Sequence, residues 1–594
     1  MKATHTRTAA GSKTARSAEK GGRQAAAGAR KRSAVKKAVG SARINFIPND
    51  PVALASVPMR VVEPRPDRPA AAAGFAFPPP PAPAAKYAPG TQEFLYWQCR
   101  EAALLAVETY ETVGGPLGAW APGVSQRLPV LPDDGVQLNA FYDRVSLSFF
   151  EHTSGGVTTF SGASTDVVAH EVGHAILDAL RPSLILSDIP EHNAFHEAFG
   201  DCIALLTALA DQRTRTSLLA TSPTLETANF VEATMEDLSA GIRRALGPSH
   251  PSSEPRHAFN TFRWQLPTTL PTIGPPELLT GEEHSFARVF TGCFYDTIRG
   301  IFAAQPKKTP TTLWTATRVA GGLLVDAARA AVEQTRFFQA VGQAMVRADM
   351  TANSGTNREA IKAAFLRHGI ALGAGASMQP SSWLAGAVPA ATRATAIPGV
   401  RAATSVARVL SPKVIADEVR RRIAAPSGAR LERHALTIAG ESVEKFVHRR
   451  HISLEGLSEH LAGVVGRAPE PMVVGGIARG VAAVLGQSPE ASASEDEVRY
   501  FVATLLDRNS IAFEGEARPR RGVHAAHAGA VAASAGRGTG DAGATEGTPV
   551  TPVTDTVTHV VRTVGGTKML TRVRYACGCH RAARHHHLLT PGAP

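Results

Sequence analysis

No stretch of the 594 residues stays apolar for the roughly 18 positions that a membrane-crossing helix needs. The chain is therefore expected to have no integral membrane segment. The first 45 positions also lack the apolar core of roughly 7 to 15 residues that a secretory signal requires. A cytoplasmic location, or export by a route that reads no such signal, is the expectation. Cysteine is sparse, five in all, and Cys99, Cys202 and Cys293 lie far apart in apolar helical surroundings. Free thiols in such places act as small hydrophobes, so no disulfide framework is implied. Aromatic and acidic residues are nearly missing from residues 1–40, which hold eleven Lys or Arg against Glu19 alone.

That tail accounts for +10 of the net charge of +12, and the remainder is almost neutral. A segment so poor in large apolar groups cannot bury enough surface to offset chain entropy, and residues 1–45 are expected to be a disordered basic tail. One reading is a sequence-blind grip on nucleic acid or an anionic surface through phosphate neutralisation. The favoured one is a solvated extension, because no aromatic side chain is interleaved to stack on bases.

Against this background stands His170-Glu171-Val172-Gly173-His174. Histidines four apart on a helix project from one face, about one turn apart, and can close on a single metal ion. Glu171 beside them can reach a metal-activated water without being a ligand, as a general base must. The flanks Thr165 to Ala169 and Ala175 to Leu177 continue an apolar helix. Asn193 to Asp201 opens a second one, on which Glu197 and Asp201 share a face. Glu197 can complete three protein ligands while Asp201 accepts a hydrogen bond from the outer nitrogen of a liganding histidine. One Zn2+ is the expected cofactor.

These stretches resemble the thermolysin-like zinc metallopeptidases of the gluzincin group. The likeness spans about residues 91–372. It implies a two-lobed α+β catalytic region with a mixed N-terminal lobe, a mainly helical C-terminal lobe and the zinc helix between them. It implies further that Asn139-Ala140-Phe141-Tyr142 is the edge strand that holds an extended peptide, with Asn139 and Ala140 touching substrate. His284, in His284-Ser285-Phe286-Ala287-Arg288-Val289-Phe290, is implied to stabilise the transition state. An arginine normally assists, and Arg243 and Arg244 lie in the right interval, although a solvated helix end explains them equally.

Several positions depart from the family pattern. His196 stands where an Asn usually precedes the glutamate ligand, and Leu184 to His192 lack the tyrosine that assists the oxyanion. Asp166 matches a calcium-ligand position, yet Ala208 replaces a further carboxylate, which makes bound Ca2+ doubtful. The residues before Thr91 do not look like the family's folding pro-domain.

Around this region, Pro-rich residues 46–90, including Pro78 to Pro81, read as a stiff extended linker. Helices are expected over Thr91–Tyr110, Leu313–Val332 and Phe337–Val346, and another from a capping box at Thr356 to Glu359, stopped near Gly369. Residues 373–516 are expected to form a mostly helical region of unknown function, its clearest pattern at Val498, Phe501, Val502 and Leu505. A Gly/Ala-rich linker follows over 517–550. In 551–594, alternating runs meet across Gly565-Gly566, a hairpin signal that fits a docking module or an inhibitory flap. Cys577-Gly578-Cys579-His580, with His585 to His587 nearby, is half a zinc site; the favoured reading is a mobile tail with adventitious metal affinity.

The leading expectation is a zinc metalloendopeptidase acting on peptide or protein substrates. A catalytically silent zinc-bound scaffold, or a nucleic-acid-binding protein acting through its basic tail, are the alternatives.

Overall fold

The computed structural model describes residues 42–373, most of 416–513, and 557–577. Residues 1–41, the 517–550 linker and 578–594, Cys579 and the terminal histidines included, lie outside the described residues. The fold is mixed α+β. Among the described residues no helix is long and apolar enough to cross a membrane.

Helix α1 (Gln92–Gly114) starts where Thr91 Oγ1 accepts the Phe94 N–H at 3.2 Å, an N-cap that satisfies a donor the helix cannot. Beyond it the chain forms a five-stranded sheet, in spatial order 575–576, 140–142, 147–149, 127–131 and 74–76. Strands 140–142 and 147–149 are an antiparallel hairpin whose turn places Arg144 at φ 66°. Asp143 Oδ1 steadies that turn by accepting the Val145 and Ser146 N–H groups at 2.9 and 2.8 Å. A second hairpin, 151–154 with 157–160, leads into α2 (Thr165–Leu180), buried from Thr165 to Asp178.

Helix α3 (Pro190–Ala210) begins with proline in its first turn and is buried from Pro190 to Leu209. The two helices meet at glycines. A Cβ on Gly173 would lie 2.8 Å from Gly200 Cα, and one on Gly200 only 2.7 Å from the His170 ring. Helices α4 (Gln212–Thr221) and α5 (Glu236–Leu246) follow. Then α6 (Glu283–Ala303), α7 (Pro310–Ala330) and α8 (Phe337–Ala352) pack on α3, and α9 (Arg358–Arg367) packs on α6 and α8. Phe195, Phe286, Phe290, Phe337 and Phe338 fill the space between these helices.

Three expectations are corrected. Residues 46–90 are not a linker: strand 44–46 pairs with 60–62, strand 74–76 edges the main sheet, and Phe75 packs on Trp120 with ring centroids 5.5 Å apart. The apolar residues Ile44, Phe46, Ile47 and Phe75 override the proline content, and residues 44 and 45 belong to a strand, not to a tail. The capping box at Thr356 does not form, because the Thr356 hydroxyl and N–H both donate to Asn353 O, at 2.7 and 3.1 Å, and α9 begins at Arg358.

The third correction concerns residues 373–516, whose described part is mainly strand. Strands 432–438, 441–453, 464–475 and 483–487 join the hairpin 559–564/567–572 and strand 511–512 in a seven-stranded sheet. Lys445, Phe446 and Val447 are all buried, so this strand hides the alternation that marks a half-exposed one. Helix α10 (Ala491–Asp507) does bury Val498, Phe501, Val502 and Leu505. The hairpin turns at Gly565 and Gly566, both at positive φ, as a two-residue turn of this kind requires.

This second sheet is bolted to the first helices. Asp188 N–H donates to Arg467 O at 2.9 Å while Asp188 Oδ2 accepts the Arg467 N–H at 2.6 Å. Glu333 accepts from Arg181 at 2.6 Å, Ser183 at 2.5 Å and Lys445 at 2.8 Å. Burial opposes the charge on Glu333, but Lys445 and Arg181 overcome it and hold its carboxyl well below the usual range. Glu333→Gln is expected to lower stability by about 3–5 kcal/mol, since two buried cations lose their counter-ion; the denaturant midpoint of the variant measures this.

Candidate metal centre and active site

One turn of α2 separates His170 from His174, and their Nε2 atoms lie 3.0 Å apart. Across the glycine crossing, α3 presents Glu197, whose Oε2 is 3.3 Å from His170 Nε2 and whose Oε1 is 3.5 Å from His174 Nε2. Donor atoms about 2.0–2.2 Å from one tetrahedral ion stand about 3.3–3.6 Å from each other. The two carboxylate distances fall in that range and the two imidazole nitrogens, at 3.0 Å, stand slightly closer, so the three donors converge on one place.

Their outer atoms are fixed as well. His170 Nδ1 donates to Asp201 Oδ1 at 2.9 Å, which leaves the Nε2 lone pair facing the centre. His174 Nδ1 stands 2.9 Å from His196 Nδ1, so the group behind His174 is a second imidazole. For His174 to keep its Nε2 lone pair inward, it must donate and His196 must accept. Burial lowers both His174 and His196 well below the ordinary histidine value, which keeps those lone pairs available. Burial works against the Glu197 charge, yet His284, His174 and His170 hold its carboxyl well below the usual range.

Glu171 is fully buried, and neither carboxylate oxygen makes a hydrogen bond of ordinary geometry. Burial pushes its pKa up to about 7. Its polar neighbour is unexpected. Donor atoms of His170, Glu171, His174 and Cys577 all lie within 4.8 Å of one another, a buried cluster that could hold a metal ion. The expectation of a mobile tail at Cys577 is overturned: its side chain is 5% exposed, because Tyr575-Ala576 add antiparallel to strand 140–142.

The edge strand and His284 meet at this same segment. Cys577 N–H donates to Ala140 O at 2.9 Å, while Asn139 is buried with its Oδ1 turned to its own strand at the Ala140 N–H. His284 sits in the first turn of α6, which Glu282 caps by accepting the Ser285 N–H at 2.9 Å. Its Nε2 donates to Ala576 O at 2.9 Å and lies 3.2 Å from Glu197 Oε2. Glu282 and Glu283, which adjoin it, are engaged by Arg508 and Arg572.

Arg243 and Arg244 are not at the centre: Arg243 pairs with Glu254, and Arg244 donates to Thr159. The cation there is Arg256, held by the short pairing of 256–257 with 233–234. It lies 3.3 Å from Glu197 Oε2 and 3.0 Å from Asp201 Oδ1. Its place between Asp201 and His284 was the available signal. No tyrosine comes from Leu184 to His192; instead the Tyr575 ring lies flat on His196 and His174, centroids 3.8 and 4.8 Å away. Asp166 spends its carboxylate on Ser164 and on the N–H groups of Val167 and Met235, and with Ala208 at the end of α3 no calcium site is assigned.

Comparison with protein-family models gives no match, and comparison with curated proteins gives none either. The reading of this site therefore stands on its own geometry. Asp201→Asn is expected to weaken metal binding about 10- to 100-fold, read by competition with a chelator of known affinity.

Proposed function

We propose that the protein is a zinc-dependent metalloendopeptidase of thermolysin-like design. On this reading the sheet with its hairpins forms one lobe, α3 and α6 to α9 the other, and α2 runs between them. The observation that carries it is the convergence of two imidazole nitrogens and the Glu197 carboxylate, 3.0–3.5 Å from one another, with the buried Glu171 carboxyl beside them against the Cys577 thiol. A two-histidine, one-carboxylate set with tetrahedral spacing suits zinc. A zinc ion held there supplies Lewis acidity and lowers the pKa of water towards about 7.

The protein's own groups do the rest. Glu171 takes a proton at its carboxylate from the water that attacks the carbonyl carbon and passes it to the amine nitrogen that leaves as the C–N bond breaks. His284 Nε2–H donates to the substrate carbonyl oxygen as negative charge grows there. Ala140, with Asn139 behind it, holds the peptide backbone extended by adding it to the sheet edge. Arg256 and Asp201 keep Glu197 and His170 aimed.

Because Tyr575 to Cys577 lie in the groove, the test uses a Cys577→Ala background. There Glu171→Gln is expected to retain one equivalent of zinc and lose hydrolysis of an unstructured polypeptide by a factor of at least about 100. Equal rates with and without Glu171 would refute the peptidase reading. Full zinc content with no turnover in either protein would identify a silent scaffold instead, the reading that the missing tyrosine before Glu197 favours.

A further inference from the structure

The segment that reaches the metal centre is held at both ends of its path. Upstream, the hairpin 559–564/567–572 is part of the second sheet, where Lys568 and Met569 pair in parallel with Val464 and Val465 and Leu570 is fully buried. Arg572 then pairs with Glu283 and lies 4.2 Å over the Tyr575 ring, and Arg574 lies over Phe141 at 4.8 Å. Tyr575 and Ala576 take the place of a fifth strand at the open edge of the first sheet.

Each group that a substrate would use is met by this segment. The Ala140 carbonyl accepts the Cys577 N–H, His284 donates to the Ala576 carbonyl, and Cys577 Sγ faces His170, His174 and Glu171. Arg256 Nη2 lies 3.8 Å from that sulfur. Cys577 also borders a cavity of about 340 Å³ lined by Met235, Phe262, Arg256, His284 and Arg288. An extended strand, a carbonyl on a histidine and a thiol at the ligand cluster do not arise from simple packing of a terminus.

We infer that Cys577 is the fourth ligand of the metal, and that Tyr575-Ala576-Cys577 is a built-in occupant of the substrate groove. Two histidines, a carboxylate and a thiolate make a closed four-ligand shell, which leaves no position for water. A ligand tethered through an anchored hairpin competes at millimolar effective concentration or more, so a free peptide would not displace it readily. The ligand assignment stands on the approach of Cys577 Sγ to the His170 and His174 donors, in a group whose remaining member is the Glu171 carboxylate; the choice of Glu197 as the carboxylate ligand, and the consequence that the full chain is latent, rest on the peptidase reading.

Zinc-edge X-ray absorption of the zinc-loaded full chain separates the two. The wild type is expected to show one sulfur at about 2.3 Å, absent in both Cys577→Ser and Cys577→Ala at equal zinc content and unchanged circular dichroism. A wild-type shell of nitrogen and oxygen only would overturn the ligand assignment whatever the activity. On an unstructured polypeptide, Cys577→Ala is expected to be at least about tenfold faster than wild type, with the Cys577→Ala/Glu171→Gln double variant inactive. Sulfur in the shell but equal, nonzero rates for wild type and Cys577→Ala would overturn latency. Scission of the wild-type chain between Ala576 and Cys577, read by intact mass, would overturn it too and mark the segment as a substrate. Sulfur with no turnover in any variant would leave the thiolate ligand standing and defeat the peptidase reading instead.

Discussion

Everything at the centre depends on how closely α2 and α3 cross. Gly173 and Gly200 let the helices approach until His170 packs on bare backbone, and any side chain at Gly200 would occupy the space of that ring. Only at this separation can a carboxylate from one helix reach within 3.5 Å of two imidazoles on the other. The glycines are a cost in helix propensity, offset by a wholly buried interface. The polar groups inside it survive burial because they satisfy one another: Asp201 orients His170, His196 orients His174, and Arg256 balances the two carboxylates.

The sequence disclosed what local periodicity encodes. His170 and His174 at four-residue spacing, and Glu197 and Asp201 likewise, fall on one face of their helices whatever the rest of the chain does, and the structure places all four together. Of the residues singled out by family likeness, His284 reaches Glu197 and Ala140 meets the Cys577 N–H, while Asn139 turns its Oδ1 to its own strand. The hairpin over 559–572 was legible from its alternation and its paired glycines. Arg256 was passed over and Cys577, although its thiol suggested metal affinity, could not be joined to this centre, because neither sits in a repeating pattern. Each arrives through an approach of segments that are tens or hundreds of residues apart, and charge or thiol character alone gives no hint of direction.

The region after α9 was misread for a different reason. Its one clear helical stretch, Val498 to Leu505, is a helix, but the pattern does not extend to its neighbours. Around Lys445 to Val447 the strand is covered on both sides, one of them through the Lys445–Glu333 pair, so alternation is lost where the sheet meets the helices. Proline content misled in the opposite direction over residues 46–90, where a few large apolar residues suffice to seat the chain against α1 and the sheet.

The hairpin that carries Tyr575 to Cys577 is seated on strand 464–475, so its position depends on parts of the chain made well after the zinc helix. The histidines, Glu197 and His284 all precede it by hundreds of residues and, with domains folding as they emerge, can assemble while it is still within the ribosome. On the peptidase reading, the nascent polypeptide passes through an interval in which its groove is built and unguarded. Slow synthesis or stalling between His284 and Tyr575 would lengthen that exposure, making the tempo of translation itself a determinant of self-inflicted damage.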